Sequence, residues 1–346
     1  MVSNSLPDRH SGLPATWQQE LADAVSDPVE LLDLLGLRPD QLDPGGLDGL
    51  RAAAVTFPLR VPRSFVARMR PGDPQDPLLR QVLAASVELQ DAPGFTSDPL
   101  EEAAARRAPG LLQKYLGRAL MVTTGACAIH CRYCFRRDYD YAADTGLERR
   151  WEEAFRTLAA SPDVEELLLS GGDPLSLSNA RLESLFARAA ALPQLRRLRI
   201  HTRNPIVLPS RVDNGLLALL ARAPLPVVVV VHANHAAEID EEVRDALQRL
   251  RGTGAQLLNQ SVLLAGVNDD VDRLADLSCS LFDAGVLPYY LHAPDYVRGT
   301  AHFHVDDERA RCLVRDLAAR LPGYLVPRLA REEPGKPGKT LLLPAG

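Results

Sequence analysis

From residue 118 onward, short apolar runs alternate with longer amphipathic stretches along the chain. The runs have the length of buried strands, and most are followed by apolar residues at helical spacing, as in Leu182–Leu192 and Glu241–Leu250. The predicted strands are Ala119–Thr123, Glu166–Leu169, Leu198–His201, Val227–His232, Leu257–Leu264 and Leu287–Leu291. Six strand-helix units in a row predict an α/β fold with a parallel sheet, open or curled into a partial barrel.

The first third of the chain has a different pattern. It carries amphipathic helix patterns interrupted by Pro and Gly, such as Trp17–Leu35 and Asp76–Leu89, and no catalytic pattern stands out there. We therefore expect an N-terminal helical region over residues 1–115, a barrel over residues 116–322 and a C-terminal segment over residues 323–346.

Polar side chains cluster where the predicted strands end. In parallel α/β sheets, ligands bind at the carboxyl ends of the strands. The polar segments at or near these ends are Cys127–Cys134, Ser170–Pro174, His201–Arg203, His232–His235, Asn259–Ser261 and His292–Asp295. Because all six predicted strands carry such a segment, we expect one shared site at this edge of the sheet.

The first of these segments contains three cysteines at the spacing C-x3-C-x2-C, namely Cys127, Cys131 and Cys134. Three thiolates on one loop can hold three irons of a 4Fe-4S cluster and leave the fourth iron open for a small molecule. The alternative is a structural zinc loop or three unrelated buried cysteines. Zinc usually takes a fourth protein ligand, and His130 is poorly placed to chelate because it is adjacent to Cys131.

Composition narrows the class of protein. The 346 residues are 46% hydrophobic and 24% charged, which is typical of a globular chain. Residues 1–12 show no basic stretch followed by an apolar one, and the aliphatic run Val227–Val231 is too short to span a bilayer, so we expect a cytoplasmic protein without a membrane segment. Five cysteines, three of them clustered, suit a reducing compartment. A net charge of −6 argues against a nucleic-acid partner and favours a small ligand.

Lysine is rare in this chain. Of the 39 Lys and Arg residues, three are lysines: Lys114, Lys336 and Lys339. The last two lie in a Gly- and Pro-containing stretch, residues 332–340, whose backbone can bend around a ligand. An aldehyde cofactor needs an amine, and arginine cannot form a Schiff base. The alternative is a solvated C-terminal loop.

The motifs together resemble those of the radical S-adenosylmethionine lysine 2,3-aminomutases. The segments that carry the resemblance are Cys127–Arg136, Ser170–Leu175, Leu198–Pro209, Asn259–Leu264 and Lys339–Thr340. The similarity runs from about Pro62 to Thr340 and is greatest to the short branch that makes (R)-β-lysine for the modification of elongation factor P. It implies a partial (βα)6 TIM-like barrel of radical S-adenosylmethionine type with an N-terminal helical extension. The alternative is a different radical enzyme on the same scaffold.

The resemblance implies roles at the cysteine end of the site. Cys127, Cys131 and Cys134 would ligate the 4Fe-4S cluster, whose open iron S-adenosylmethionine chelates. The residues expected to contact S-adenosylmethionine are Gly171, Gly172, Asp173, His232, Asn234 and Gln260. A cellular one-electron reductant would be required.

The resemblance also implies a second cofactor and a substrate. Lys339, in the C-terminal segment, would bind pyridoxal phosphate as a Schiff base, and Arg118 would contact its phosphate. Arg136 would bind the carboxylate of L-lysine and Asp295 its ε-ammonium. The family's second aspartate is here Glu332, one methylene longer, so we expect a changed fit to free lysine. The alternative for these charged residues is surface ion pairing.

The activity implied is that of an L-lysine 2,3-aminomutase. A 5′-deoxyadenosyl radical removes a β-hydrogen, nitrogen migrates, and the product would reach a ligase acting on elongation factor P. No structural zinc is expected, because Asp270 follows Val267–Asp269 where longer family members carry a cysteine, and their C-terminal cysteine cluster is missing. Two alternatives stay open. One is a radical aminomutase for another amino acid. If that amino acid were glutamate, its side chain would prefer a cation or an amide where Asp295 stands. The other is a non-catalytic metal-binding adaptor.

Overall fold

A ten-stranded sheet organises the computed structural model, which describes residues 16–144 and 148–343. The strands are β1 (Arg106–Ala108), β2 (Leu111–Tyr115), β3 (Arg118–Thr124), β4 (Glu166–Gly171), β5 (Arg197–His201), β6 (Val227–Val231), β7 (Gln256–Val262), β8 (Leu287–His292), β9 (Arg328–Arg331) and β10 (Thr340–Leu341). Each strand pairs with the next in chain order. Pairing is parallel from β3 to β9 and antiparallel at both ends of the sheet. Within the described residues β1 and β10 do not pair, so the barrel is partial.

The six predicted strands correspond to β3 through β8, and the predicted α/β partial barrel is confirmed. A seventh parallel strand, β9, and the antiparallel strands β1, β2 and β10 were not predicted. They span two to five residues each, which is too short for a periodic pattern.

The parallel strands owe their apolar runs to burial on both faces. All six residues of β4 are buried, and four of the five valines of β6 are buried as well. A strand covered on both sides gains from apolar residues at every position rather than at alternate ones. Burial of each Val or Leu side chain contributes about 1.5–3 kcal/mol before conformational entropy is counted.

Helices cover the outside of the sheet. They are α1 (Trp17–Ala22), α2 (Pro28–Leu35), α3 (Gly46–Ala54), α4 (Arg63–Val66), α5 (Tyr141–Asp144), α6 (Glu148–Ala159), α7 (Asn179–Ala190), α8 (Asn204–Val207), α9 (Asn214–Ala221), α10 (Glu241–Arg251), α11 (Val271–Asp283) and α12 (Asp307–Ala318). Asp side chains cap the N-termini of α9 through α12. Each such cap stabilises its helix by about 1 kcal/mol.

One of these caps is Asp270, the residue on which the expectation about zinc rests. Its carboxylate accepts hydrogen bonds from the backbone N of Asp272 (2.9 Å) and Arg273 (3.2 Å). The residue at this position therefore has a local structural task, which is to begin helix α11.

The first third of the chain is less helical than predicted. The stretch Trp17–Leu35 forms two helices rather than one, because Val25 pairs with Val61 through two backbone hydrogen bonds of 2.8 and 3.0 Å between α1 and α2. Pro28, with its fixed φ, then begins α2 after the capping residue Asp27.

The helix predicted over Asp76–Leu89 is wrong. Only two short 3₁₀ turns form there, at Leu79–Gln81 and Ser86–Leu89. The buried Asp76 carboxylate caps the first of these turns by accepting from the backbone N of Leu78 and Leu79. Beyond that turn, Gln81 O accepts from Arg132 N (2.8 Å) and Ser86 N donates to Asp43 (2.5 Å), so these backbone groups are not available to a continuous helix. Tertiary contacts thus override the local helical pattern.

The sheet crosses both boundaries expected from the sequence, at residues 115/116 and 322/323. Strand β2 pairs with β3 and β9 pairs with β8, while one hydrophobic cluster extends from Trp17 to Val286. The three-part division remains an expectation, and the pattern noted in residues 1–12 lies outside the described residues. Across residues 16–144 and 148–343, we find no helix both long enough and apolar enough to cross a membrane.

Candidate active site

A cavity of about 350 Å³ lies at the carboxyl ends of the parallel strands. It brings together thirteen of the fourteen residues predicted from the sequence, from segments that are far apart in the chain. They are Arg118, Cys127, Cys131, Cys134, Arg136, Gly171, Gly172, Asp173, His232, Gln260, Asp295, Glu332 and Lys339. The remaining residue, Asn234, is fully buried beside the cavity. The structure therefore brings the predicted residues together at this edge of the sheet.

The cysteine loop lies between β3 and α5 and packs against the end of β4. Backbone hydrogen bonds join Gly172 N to Thr124 O (2.7 Å) and Asp173 N to Ala126 O (2.8 Å). A Cβ at Gly172 would lie 2.5 Å from the carbonyl oxygen of Ala126, and Gly171 has a φ of +123°. Glycine is needed at both positions because no side chain fits there.

The three cysteines lie on one short loop at the cavity. Zinc would draw each sulfur to about 2.3 Å, whereas a 4Fe-4S cluster ties each thiolate to a different iron. All three cysteines are free, partly exposed and face the cavity. The donor set therefore fits a 4Fe-4S cluster.

The electrostatics of the loop favour a bound metal over three free thiolates. Burial and the neighbouring Cys131 raise the pKa of the Cys134 thiol to about 11, and burial, Asp173 and the other two cysteines raise the pKa of Cys127. Three thiolates cannot gather here without compensating positive charge. Metal ions supply such charge and deprotonate the thiols that bind them.

Arg136 already holds a carboxylate of the protein. Its Nε and Nη2 donate to the two oxygens of Glu102 at 2.7 and 2.8 Å, and its Nη1 donates to Ser170 Oγ at 3.1 Å. Arg136 and Glu102 are buried. This bidentate geometry is the one expected for a bound carboxylate, and it shows what the Arg136 position can bind. Sequence reasoning missed Glu102, which lies 34 residues before Arg136.

Two lysines flank Glu332. Lys114 Nζ lies 2.9 Å from one carboxylate oxygen and Lys339 Nζ lies 2.5 Å from the other. Burial opposes ionisation of Glu332, but the two ammonium groups outweigh it and hold the pKa of this carboxyl well below its usual range. Lys114 also lies 3.1 Å from Glu102. Its presence in the site was not predicted, although the rarity of lysine in the sequence was a signal.

Asp295 differs from the other carboxylates. No side chain in residues 16–144 and 148–343 donates to its carboxylate, which lines the cavity beside Glu332 and Lys339. Burial and the charge of Glu332 raise the pKa of Asp295 to about 7, against the opposing effect of Lys339. An added cation would therefore find an acceptor with free lone pairs at this place.

The surroundings of Lys339 fit a polar, anionic cofactor. Tyr115 Oη and His201 Nε2 are buried without a hydrogen-bond partner. The Arg118 guanidinium lies 4.4 Å from the ring centroid of Tyr115 and forms no ion pair with any described side chain. Lys339 Nζ lies 5.8 Å from the ring centroid of Tyr290. An amine, an unpaired guanidinium and two orphaned polar atoms on one cavity wall suit a phosphorylated aldehyde.

Some of the residues expected to contact S-adenosylmethionine already form hydrogen bonds within the protein. The Asp173 carboxylate is buried and accepts from Thr202 Oγ1 and from the backbone N of Arg203, both at 2.7 Å. His232 Nε2 lies 2.9 Å from the Tyr133 hydroxyl, and burial together with Arg203 lowers the pKa of His232 to about 3. His232 is therefore a neutral imidazole.

Asn234 has its hydrogen bonds inside the protein. Its amide donates to Tyr133 Oη (2.7 Å) and Gln81 Oε1 (3.0 Å), and its oxygen accepts from Val262 N (2.8 Å). It holds the floor of the cavity in place, whereas Gln260 on β7 lines the cavity directly.

The chain is similar to a known protein family and to several known enzymes. Residues 121–277 match the family model described as the Radical SAM superfamily. The chain is 50% identical to L-lysine 2,3-aminomutase of Escherichia coli (strain K12) over 94% of each chain. It is 44% identical to L-lysine 2,3-aminomutase of Haemophilus influenzae over 94% of this chain and 95% of that one.

Among solved structures, a radical SAM methyltransferase from Sphaerobacter thermophilus aligns with a TM-score of 0.46 and 20% identity, over 64% of this chain and 68% of that one. This partial likeness adds nothing to the sheet topology described above. The full-length identity to the aminomutases, with the cysteine loop and Lys339 on one cavity, establishes the family. The chain belongs to the lysine 2,3-aminomutase family of radical S-adenosylmethionine enzymes.

Proposed function

We propose that this protein is an L-lysine 2,3-aminomutase, an isomerase that converts L-lysine to (R)-β-lysine with a 4Fe-4S cluster, S-adenosylmethionine and pyridoxal phosphate. The observation that carries the proposal is a single cavity with the cysteine loop, Lys339 and the unpaired Asp295 on its walls. The names of the relatives, which cover nearly the whole chain, support the same activity.

The chain's own residues bind and orient the reactants. When bound, the cluster with S-adenosylmethionine supplies the radical that removes a hydrogen from the lysine β carbon, and pyridoxal phosphate supplies the π system over which nitrogen migrates. Lys339 would hold pyridoxal phosphate, and Arg118 would bind its phosphate.

The two ends of L-lysine meet opposite charges in the cavity. Asp295 receives the ε-ammonium, because its carboxylate has no protein donor. Arg136 receives the α-carboxylate once Glu102 leaves its fork. One carboxylate replaces another in this exchange, so the charge around the buried guanidinium is preserved.

The acidic end of the cavity argues against a glutamate substrate. A glutamate side chain directed at Asp295 and Glu332 would bring a third carboxylate into a buried site, where like charges repel strongly. Neither a different amino acid nor a non-catalytic adaptor is favoured by a specific contact in the structure.

The direct test is product formation. Anaerobically reconstituted protein with S-adenosylmethionine, pyridoxal phosphate, a reductant and L-lysine should form (R)-β-lysine, detected by chiral chromatography. L-Glutamate and L-arginine in place of lysine are the substrate controls. Conversion of glutamate but not of lysine would reject the proposal, and absence of any cluster in the reconstituted protein would favour the adaptor.

The raised pKa of Asp295 predicts how lysine recognition depends on pH. In the free enzyme this carboxyl is charged only above pH about 7, so kcat/KM for lysine should fall as the pH drops below about 7 and level off above it. Asp295→Asn should lower kcat/KM by roughly 10- to 100-fold, the scale of a charged hydrogen bond, and lose this limb of the profile.

A matched control is Asp270→Asn, because Asn caps helices as well as Asp does and Asp270 is not at the cavity. Its pH profile should equal that of the unmodified protein. If Asp295→Asn kept both the affinity for lysine and the acidic limb, Asp295 would not be the ammonium site.

The use of the product is a further part of the proposal. We propose that (R)-β-lysine made here is handed to a ligase that modifies elongation factor P. The resemblance of this short chain to the branch with that role supports this step. A cellular one-electron reductant is the other partner that the chemistry requires, and we propose a cytoplasmic setting for it.

A further inference from the structure

One buried cation contacts the cysteine loop directly. Arg203, just beyond β5, directs its Nη1 to Cys131 Sγ at 2.7 Å. Its Nη2 donates to Glu238 Oε2 at 2.9 Å and to Gln81 Oε1 at 2.7 Å. Arg203 is buried, and its two partners Glu238 and Gln81 are fully buried.

The position of this guanidinium is fixed from several sides. The backbone N of Arg203 donates to the buried Asp173 at 2.7 Å, and its guanidinium carbon lies 5.6 and 5.7 Å from the ring centroids of Phe65 and Tyr133. Glu238 in turn accepts from the backbone N of Asn234 at 2.9 Å. Because each group is held by others, the N–H aimed at Cys131 cannot turn away.

Arg203 keeps its charge in this setting. A guanidinium stays protonated in proteins, and the Glu238 carboxylate 2.9 Å from Nη2 compensates its charge. A fixed positive charge in a low-dielectric region acts strongly on nearby electron density, because little water screens it.

We infer that Arg203 is a positioning residue that acts through Cys131 to raise the reduction potential of the 4Fe-4S cluster, with Glu238 limiting the size of that increase. Hydrogen bonds to cluster sulfurs and net charge around the cluster are among the determinants of its potential. The inference rests on the proposed function, since it takes Cys131 as a cluster ligand. One electron from the reductant adds negative charge to the cluster, and the positive Arg203 stabilises that added charge.

The two members of the pair make opposite predictions. Arg203→Gln removes the positive charge, so the cluster should become harder to reduce. Glu238→Gln leaves the charge of Arg203 less compensated, so the cluster should become easier to reduce. A loss of packing alone has no reason to move the potential in opposite directions for the two variants.

The experiment is an electron paramagnetic resonance-monitored redox titration of each reconstituted full-length protein, with iron and sulfide assayed on the same samples. Arg203→Gln should lower the equilibrium constant for one-electron reduction at least ~10-fold, equal to a shift of about 59 mV, and Glu238→Gln should shift it in the opposite sense. The matched control is Arg211→Gln. Arg211 is also fully buried, but it donates to Leu175 O and Leu177 O and contacts no cysteine, so the potential should stay constant.

An unchanged potential in Arg203→Gln with a full cluster would overturn the inference. A shift of both variants in the same direction would overturn it as well, because loosened structure would then be the cause. Should Arg203→Gln fail to hold a cluster, an unchanged or lowered potential in Glu238→Gln rejects the inference by itself. The titration does not involve lysine, so a protein with the expected potentials but no β-lysine product would refute the proposed function and leave this inference standing.

Discussion

Replacing Lys339 with alanine is expected to abolish lysine conversion and to remove covalently held pyridoxal phosphate while the 4Fe-4S cluster is retained. The residue has the one cavity-facing amine of the C-terminal segment, and its Nζ lies 2.5 Å from Glu332. Loss of the group that links a cofactor to the protein should lower activity by on the order of 10³-fold or more. Arginine at this position would keep the charge but could not form the bond.

The fold should survive this change. Glu332 keeps Lys114 at 2.9 Å after Lys339 is removed, so its buried carboxylate stays compensated. Far-ultraviolet circular dichroism and iron content test this. Pyridoxal phosphate retained by each variant after borohydride reduction is measured by mass spectrometry.

The chain offers a matched control for Lys339. Lys336 lies in the same Gly- and Pro-containing loop, is exposed and does not line the cavity. Lys336→Ala should retain the cofactor and full activity. If instead the cofactor stayed bound in Lys339→Ala and was lost in Lys336→Ala, the two roles would have to be exchanged.

Cys127→Ala should give a protein that cannot assemble a stable 4Fe-4S cluster and does not cleave S-adenosylmethionine. Three cysteines face the cavity, and removal of one leaves two thiolates for a cluster that needs three. We expect activity at the background of the assay. The measurement is iron and sulfide content together with the electron paramagnetic resonance signal of the reduced protein.

Two other cysteines serve as controls. Cys279 and Cys312 lie on α11 and α12, away from the cavity. Cys279→Ala should carry a full cluster and cleave S-adenosylmethionine at the normal rate. A complete cluster in Cys127→Ala would show that the loop binds metal in another way, and a colourless unmodified protein would return it to a structural role.

The core of the fold was predictable because burial leaves a local record in the sequence. The five valines of β6 and the apolar run of β4 predict buried strands without reference to any partner. The short strands β2 and β10 pair with their chain neighbours β3 and β9, but at five and two residues they are too short to leave a periodic pattern. The helix predicted over Asp76–Leu89 fails because its backbone is bonded to residues distant in sequence: Gln81 O accepts from Arg132 N, and Ser86 N donates to Asp43.

Some residues of the site were predicted from a local sequence pattern, and others became evident only in the folded structure. The spacing of Cys127, Cys131 and Cys134 is typical of cluster ligands, so a single sequence is enough to predict their role. The pairing of Arg136 with Glu102 joins two loops by charge alone and leaves no periodic or spaced pattern. Lys114 was marked by its rarity, but its position became evident only when β2 was seen beside β3.

Lys114 connects two carboxylates of the site. It lies 3.1 Å from Glu102, whose carboxylate is bound by Arg136, and 2.9 Å from Glu332. If lysine binds here and releases Glu102 from Arg136, the Lys114 ammonium is the remaining cation beside Glu102. The Lys114 ammonium would then interact more strongly with Glu102 and less strongly with Glu332. Recognition of the carboxylate and of the ammonium would then be thermodynamically coupled, and an amine without a carboxylate would be unable to exploit the coupling.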